Sequence, residues 1–294
     1  MNSELDRSFR IPPLALCAIG VLAVVFVFRT LAADLEAKGF ATISTLSSRV
    51  LPMEEGLSIP EWVDPRWERE LSRFVAEFED LSASDQQSIE GLVREIESRS
   101  YVAEVGTASV LWPDGLAVEI RFEKPTACLG VEGEFLTTSA TGTVLPGAWA
   151  SPPEVRGAPL PVLSAESYSR AEVRPGLDLV DPALFAALRV ANSMQAHLSS
   201  EERRELGPVV IDASGEGEIS LQLPGIVLDL EFGRRIFFGR APGGDAPGEL
   251  PAGLKWPSVA RGVEALQSGM DWILLDVRWD EPMYVTREGE EGSL

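Results

Sequence analysis

Residues 100–146 constrain the fold most, because they break into short strands separated by turns of defined chemistry. A strand is expected over residues 107–112, after Val102 and Val105, and another over residues 116–122. The second alternates, with Leu116, Val118, Ile120 and Phe122 on one face and Ala117, Glu119 and Arg121 on the other. Pro113-Asp114-Gly115 between them reads as a hairpin turn: proline presets φ, aspartate bonds nearby backbone and glycine accepts positive φ. Lys124-Pro125 interrupts pairing before strands expected over residues 128–131 and 135–138. The turn at Ala140, Thr141 and Gly142 then leads to Val144-Leu145-Pro146. None of these residues is placed as a nucleophile or a metal ligand.

Helical signals precede this stretch. Asp64-Pro65 is a helix start, with Trp67, Leu71, Phe74, Val75 and Phe78 recurring at helical spacing behind it. Ser84 and Gln87 form a capping-box pattern ahead of the stripe Ile89, Leu92, Val93 and Ile96. Both stripes read as core. A first strand is expected within either residues 39–46 or residues 57–62, and the pattern does not choose between them.

After Pro146 a proline-rich passage runs to Leu163, and Asp181-Pro182 starts a third helix carrying Leu184, Leu188, Ala191, Met194 and Leu198, ending near Ser199. Strands are expected over residues 209–211, 219–223, 227–232 and 236–238. Residues 240–253, rich in proline and glycine, read as a mobile loop. A last helix over residues 255–267 turns Val259, Val263 and Leu266 inward. A strand follows at residues 272–278, then Met283-Tyr284-Val285 and a charged tail, residues 287–294, expected to be disordered. The fold class is α+β.

At the other end, residues 11–28 form an uncharged run whose 18 residues reach about 27 Å as a helix, enough for the hydrocarbon layer. Ile11, Leu14, Leu16, Ile19, Val21, Leu22, Val24, Val25, Phe26, Val27 and Phe28 are its apolar residues, and Arg29 is placed to reach the far interface. The rival reading is a cleaved signal peptide. The length of the run and the nearness of Arg29 to the poor small-residue site at Thr30-Leu31-Ala32 favour an uncleaved anchor. Arg7 and Arg10 before the run compete with Arg29 and Lys38 after it, so orientation follows from the short tail and the long acidic remainder: N-terminus in, C-terminus out.

The formal net charge of −21 argues against nucleic acid, whose phosphates would be repelled. Cys17 and Cys128, one in an apolar run and the other in a strand, do not suggest a disulfide. His197 is the only histidine, which excludes a multi-histidine metal centre. Asp212-Ala213-Ser214-Gly215 has no base spaced to activate the serine and reads as a turn. Gly215-Glu216-Gly217-Glu218 lacks the lysine and the context of a phosphate loop. The glutamates at 54–55, 201–202 and 288–291 lack the spacing of a calcium loop and read as solvated charge. No catalytic constellation and no cofactor site emerge.

Three features together resemble the FtsQ/DivIB family of division proteins. They are the succession YVAEV…PDGL…KP…FLT…GTVLP over residues 101–146, the two helices before it, and the order FFGR, loop, LKW, helix, ILLDVRW at residues 237–279. Asp276, Arg278 and Trp279 stand in that family's Asp-Leu-Arg-aromatic pattern, with Val277 at the leucine position. The resemblance implies a cytoplasmic tail (1–10), a transmembrane helix (11–32), a linker (33–56), a POTRA-like domain (57–126, β-α-α-β-β), a β domain with flanking helices (127–286) and the tail (287–294). It implies a non-enzymatic scaffold of septum assembly in the inner membrane, without cofactor. Its partners would be FtsB/DivIC-like and FtsL-like proteins and other divisome membrane proteins. The C-terminal edge strand would take the FtsB/DivIC-like partner by β-augmentation through Arg278, Trp279, Asp280, Glu281, Met283, Tyr284 and Val285. Pro282, which lacks a donor, either shapes or blocks that pairing. The alternative is a POTRA-containing envelope protein of polypeptide export or outer-membrane assembly.

Overall fold

The computed structural model describes residues 13–37, 49–52, 62–77, 86–111, 115–165, 168–216, 223–244 and 248–294. In chain order these form α1 (Pro13–Ala37), β1 (Arg49–Pro52), α2 (Pro65–Glu77), α3 (Gln86–Glu97), β2 (Val102–Leu111) and β3 (Gly115–Phe122). Next come β4 (Pro125–Val131), β5 (Glu134–Ser139), β6 (Glu154–Val155), β7 (Ala158–Pro159), β8 (Val162–Ser164), α4 (Pro182–His197) and α5 (Ser200–Leu206). The remainder is β9 (Val210–Asp212), β10 (Ile226–Asp229), β11 (Arg235–Gly239), α6 (Ala252–Gln267), β12 (Trp272–Asp276), β13 (Met283–Thr286) and β14 (Glu291–Ser293). The chain is a mixed α+β protein. Residues 1–12, the candidate strand at 39–46, residues 57–61, Phe78, Ser84, Trp112, Pro113 and Asp114, and residues 219–222 of the strand expected at 219–223 lie outside the described residues, and Leu223 is not in a strand.

Two compact units divide the chain: residues 1–50, 71–94 and 107–118 in one, and residues 51–70, 95–106 and 119–294 in the other. The first contains α1, whose described side chains stay apolar only to Phe28 before Arg29 and Asp34. Val21, Leu22, Val24, Val25, Phe26, Val27 and Phe28 are all exposed; Leu14, Leu16 and Ile19 belong to the same helix, and Ile11 is not among the described residues. Among the described residues no helix is long and apolar enough to cross a membrane. Elsewhere in this unit Leu71, Val75, Leu92, Leu116, Ala117 and Val118 are buried. Ala117, expected on the polar face of its strand, is buried, whereas Glu119 and Arg121 of that face are half-buried and exposed.

In the second unit Trp67, Ile96, Tyr101, Ile120 and Phe122 are buried. Trp67 stacks on Tyr101 and Phe122, at centroid distances of 5.6 and 6.3 Å, and its Nε1 donates to the Pro146 carbonyl at 2.9 Å. The strand expected from residue 107 begins at Val102, and the first strand, β1, falls between the two candidate segments. Among the described residues β1, β2 and β3 form one sheet in the order β1-β3-β2. β4 opens a second sheet, so the change of sheet falls at Pro125, where a missing donor is tolerated at a strand's first residue, while β6 and β7 pair only with each other.

The second sheet runs β14-β13-β12-β11-β10-β9-β8-β4-β5. The pairs β4/β8, β8/β9 and β11/β12 are parallel and the rest antiparallel. Parallel neighbours require crossovers, and α4 with α5 links β8 to β9 while α6 links β11 to β12. Leu184, Leu188, Ala191 and Met194 of α4, and Trp256, Val259 and Val263 of α6, share one buried cluster with Leu129, Ile211, Leu228, Ile236 and Leu275 of the sheet. At Gly262 the approach is close: a Cβ there would lie 2.6 Å from Leu275 Cδ2, and Trp272 Nε1 donates to the Gly262 carbonyl at 2.9 Å.

Several expectations need correction. The segment at 227–232 ends as a strand at Asp229, and Phe232 follows with φ 62° inside a short 3₁₀ turn. The helix ending near Ser199 is followed directly by α5, whose Ser199 and Glu202 form a complete capping box. Glu202 is thus a capping residue, not merely solvated charge. The proline- and glycine-rich loop is pinned at Glu249 and gives way to α6 at Ala252, three residues earlier than expected. The tail at 287–294 is not structureless: Glu291–Ser293 is β14, paired antiparallel with β13.

Two outcomes follow from these contacts. Asp181 Oδ1 accepts from the backbone amides of Ala183 at 2.8 Å and Leu184 at 3.3 Å, so Asp181→Ala should lower unfolding free energy by about 1 kcal/mol in chemical denaturation. Burial pushes the Cys128 thiol up to about 12, whereas an unfolded cysteine ionises near about 8.5. Alkylation at about pH 8.5, read by peptide mass mapping, should therefore spare Cys128 in the native chain and modify it in denaturant.

Candidate functional site

The residues expected to bind a partner lie on and before β13, and the structure divides them. Arg278 is 3% exposed. Its Nε and Nη2 grip the two oxygens of Asp276 at 2.9 and 2.7 Å, and Nη1 donates to the Leu223 carbonyl at 3.3 Å. The guanidinium carbon lies 5.6 Å from the ring centre of Phe237 and 5.3 Å from that of Trp279. A planar fork between aromatic faces with a bidentate carboxylate is an internal tie, not a group offered to another chain. Arg278 is therefore withdrawn from the expected contact set, and half-buried Trp279 serves partly to cover it. Asp280, Glu281 and Met283 are exposed, and Tyr284 and Val285 half-buried.

A second ion pair lies beside the first. Lys255, 1% exposed, pairs with Glu249, whose side chain is 4% exposed, and donates to the carbonyls of Phe238 at 2.7 Å and Arg240 at 3.4 Å. Its ammonium also sits 4.6 Å from the Phe238 ring centre. Burial lowers the Lys255 pKa while Glu249 opposes the shift, and Arg278 and Asp276 also act on it, with opposite signs. The four side chains are one electrically balanced group, two cations and two carboxylates. It joins the end of β12, the start of α6 and the loop before it; the Leu250 amide, donating to the Arg278 carbonyl at 2.8 Å, closes the circuit.

Sequence reading treated Lys255 only as a helix start. The signal was present: Lys255 falls four residues before Val259 on the inward stripe, where a lysine needs a buried partner. Asp271 is another residue it passed over. Its carboxylate bridges Arg234 at 2.9 Å and Arg287 at 3.0 Å, and the two guanidinium groups lower its pKa. This bridge fixes the turn from which the tail returns to β13.

The outer edge of β13 was expected to be open. It is occupied: Met283 pairs with Ser293, Tyr284 with Gly292 and Val285 with Glu291. Pro282 is buried, and its carbonyl accepts from the Leu294 amide at 3.2 Å, so its missing donor does not interrupt this ladder. His197 is exposed at the end of α4 with Nδ1 2.8 Å from the Ser193 carbonyl, and Asp212 Oδ1 accepts from the Ser214 amide at 2.9 Å to form a turn. Among the described residues no group of three or more His, Cys, Asp or Glu side chains is arranged to hold a metal. No family model matches this chain, and no curated protein is significantly similar to it.

Removing one member of a buried ion pair strands the other without water. Glu249→Gln should cost about 3–5 kcal/mol in equilibrium denaturation, and Asp276→Asn a similar amount. A loss below about 1 kcal/mol would show that water reaches the pair.

Proposed function

We propose that this chain is a non-enzymatic scaffold of the cell-division machinery, held in the inner membrane by residues 11–32 with its α+β part outside. An FtsB/DivIC-like partner binds at the β13 end of the large sheet, and FtsL-like and other divisome membrane proteins complete the assembly. The observation that carries the reading is β13 itself, an antiparallel strand held on β12 near the end of a sheet of nine strands among the described residues, its outer neighbour three residues long. Such a strand takes extended segments through its backbone groups, with specificity from flanking side chains.

Three further observations support it. The strand-helix-helix-strand-strand order from β1 to β3 is that of a POTRA-like domain, and the next sheet begins at Pro125. The uncharged run at residues 11–28 continues in α1 as exposed valine, leucine and phenylalanine side chains, which suit a lipid environment. The Asp276–Arg278 fork rationalises the Asp-x-Arg-aromatic pattern as the brace of the partner-binding strand.

The contact set is Trp279, Asp280, Glu281, Met283, Tyr284 and Val285. Full-length chain carrying Met283→Asp, an exposed position, should recover at least about tenfold less of an FtsB/DivIC-like protein by co-purification from membranes, as expected for a desolvated contact of some 1.4 kcal/mol or more. A fluorescent fusion of the unaltered chain should concentrate at mid-cell. Uniform envelope signal together with unchanged recovery would overturn the assignment.

A further inference from the structure

The outer edge of β13 already holds a strand, and that strand is weakly secured. Beyond the three paired residues, the ladder gains the Thr286 amide on the Glu290 carbonyl at 2.8 Å and the Leu294 amide on the Pro282 carbonyl at 3.2 Å. Glu291 and Ser293 are exposed, so β14 buries little side chain of its own. Outside the ladder, Arg261 Nη1 donates to the Leu294 carbonyl at 3.1 Å, and the Leu294 side chain packs on the core beside Gly262. Exposed backbone bonds return little beyond what ordering the tail costs. The acceptor side is different: β13 is built into the sheet through β12, and Tyr284 packs against the main core.

We propose that the edge of β13 is a strand-acceptor site whose resident, in the free protein, is the chain's own tail, and that a partner's extended segment binds by replacing β14. This rests on the reading of that edge as the partner surface. The resident strand also shows what a replacement must look like. A Cβ at Gly292 would meet the Tyr284 hydroxyl at 2.5 Å and its ring carbon Cζ at 2.6 Å, so a glycine, or another residue small enough for the ring to yield, sits opposite Tyr284. Two positions later an apolar side chain fills the place of Leu294 on α6. The partner segment is therefore antiparallel to β13, about five residues long to span Pro282 to Thr286, with a small-x-apolar pattern.

Gly292→Val in the full-length chain should expel β14 by its clash with the Tyr284 ring while leaving the sequence of β13 unaltered, and a chain ending at Thr286 removes the tail outright. Hydrogen exchange at the Thr286 amide should accelerate in both. Two fluorescent probes are then titrated: a peptide of the tail's own residues 286–294, and the extracytoplasmic segment of the FtsB/DivIC-like protein from the same cell. Both should bind the two variants at least tenfold more tightly than the unaltered chain. Equal affinity for all three chains overturns competition by the tail. Weaker binding to the variants also overturns it, because the partner then adds outside β14. If the tail peptide gains affinity and the division segment binds no chain, the acceptor edge stands and the proposed function fails.

Discussion

The C-terminal half of the large sheet depends on a buried charge balance. Lys255 and Arg278 carry two positive charges into a region almost without solvent, and Glu249 and Asp276 meet them with two negative ones. Isolated, any of these groups would be strongly disfavoured there; together they are held by geometry and by carbonyl acceptors. Because the four residues come from the loop before α6, from α6 itself and from the end of β12, satisfying the charges sets the relative position of all three. The turn into β13 starts from that fixed point. What looks like a short sequence pattern is the brace for an edge.

The helices explain why only the ends of this sheet are in question. α4 and α6 bring their apolar stripes to one face, and parallel pairing of β8 with β9 and of β11 with β12 follows from the crossovers they form. At the far end, β5 is bridged by Phe135 to Trp149 and by Thr138 to Val144, so the segment after it shields that side. At the near end, among the described residues, the three-residue β14 alone lies beyond β13.

Local chemistry made much of this legible. Asp181-Pro182 starts α4 because a carboxylate followed by proline satisfies orphan amides while presetting φ, and α2 follows the same logic from Asp64. The alternation at Leu116 to Phe122 identifies β3 for the reason that makes strands two-sided. α5 is legible in the capping pair Ser199 and Glu202, but Glu201-Glu202 reads as solvated charge and no helix is expected there. The Lys255–Glu249 pair was half readable, since a lysine on an inward stripe announces a partner without naming it. β14 was not readable. Glu291-Gly292-Ser293 has no strand-forming residue, and its conformation comes from the neighbour it borders, a tertiary effect that local propensity does not contain. The same is true of Arg278, which the family resemblance places in a partner contact, whereas its carboxylate and two aromatic rings gather around it only in the folded chain.

The acidity of the tail has a consequence for the protein's behaviour in a crowd of its own copies. β14 carries Glu291 and follows Glu288 and Glu290, on a chain whose net charge is −21. Two molecules meeting edge to edge at β14 would bring like charges together, which disfavours the pairing. A sheet whose edge strand is this short is thereby kept from polymerising with itself by charge at its rim.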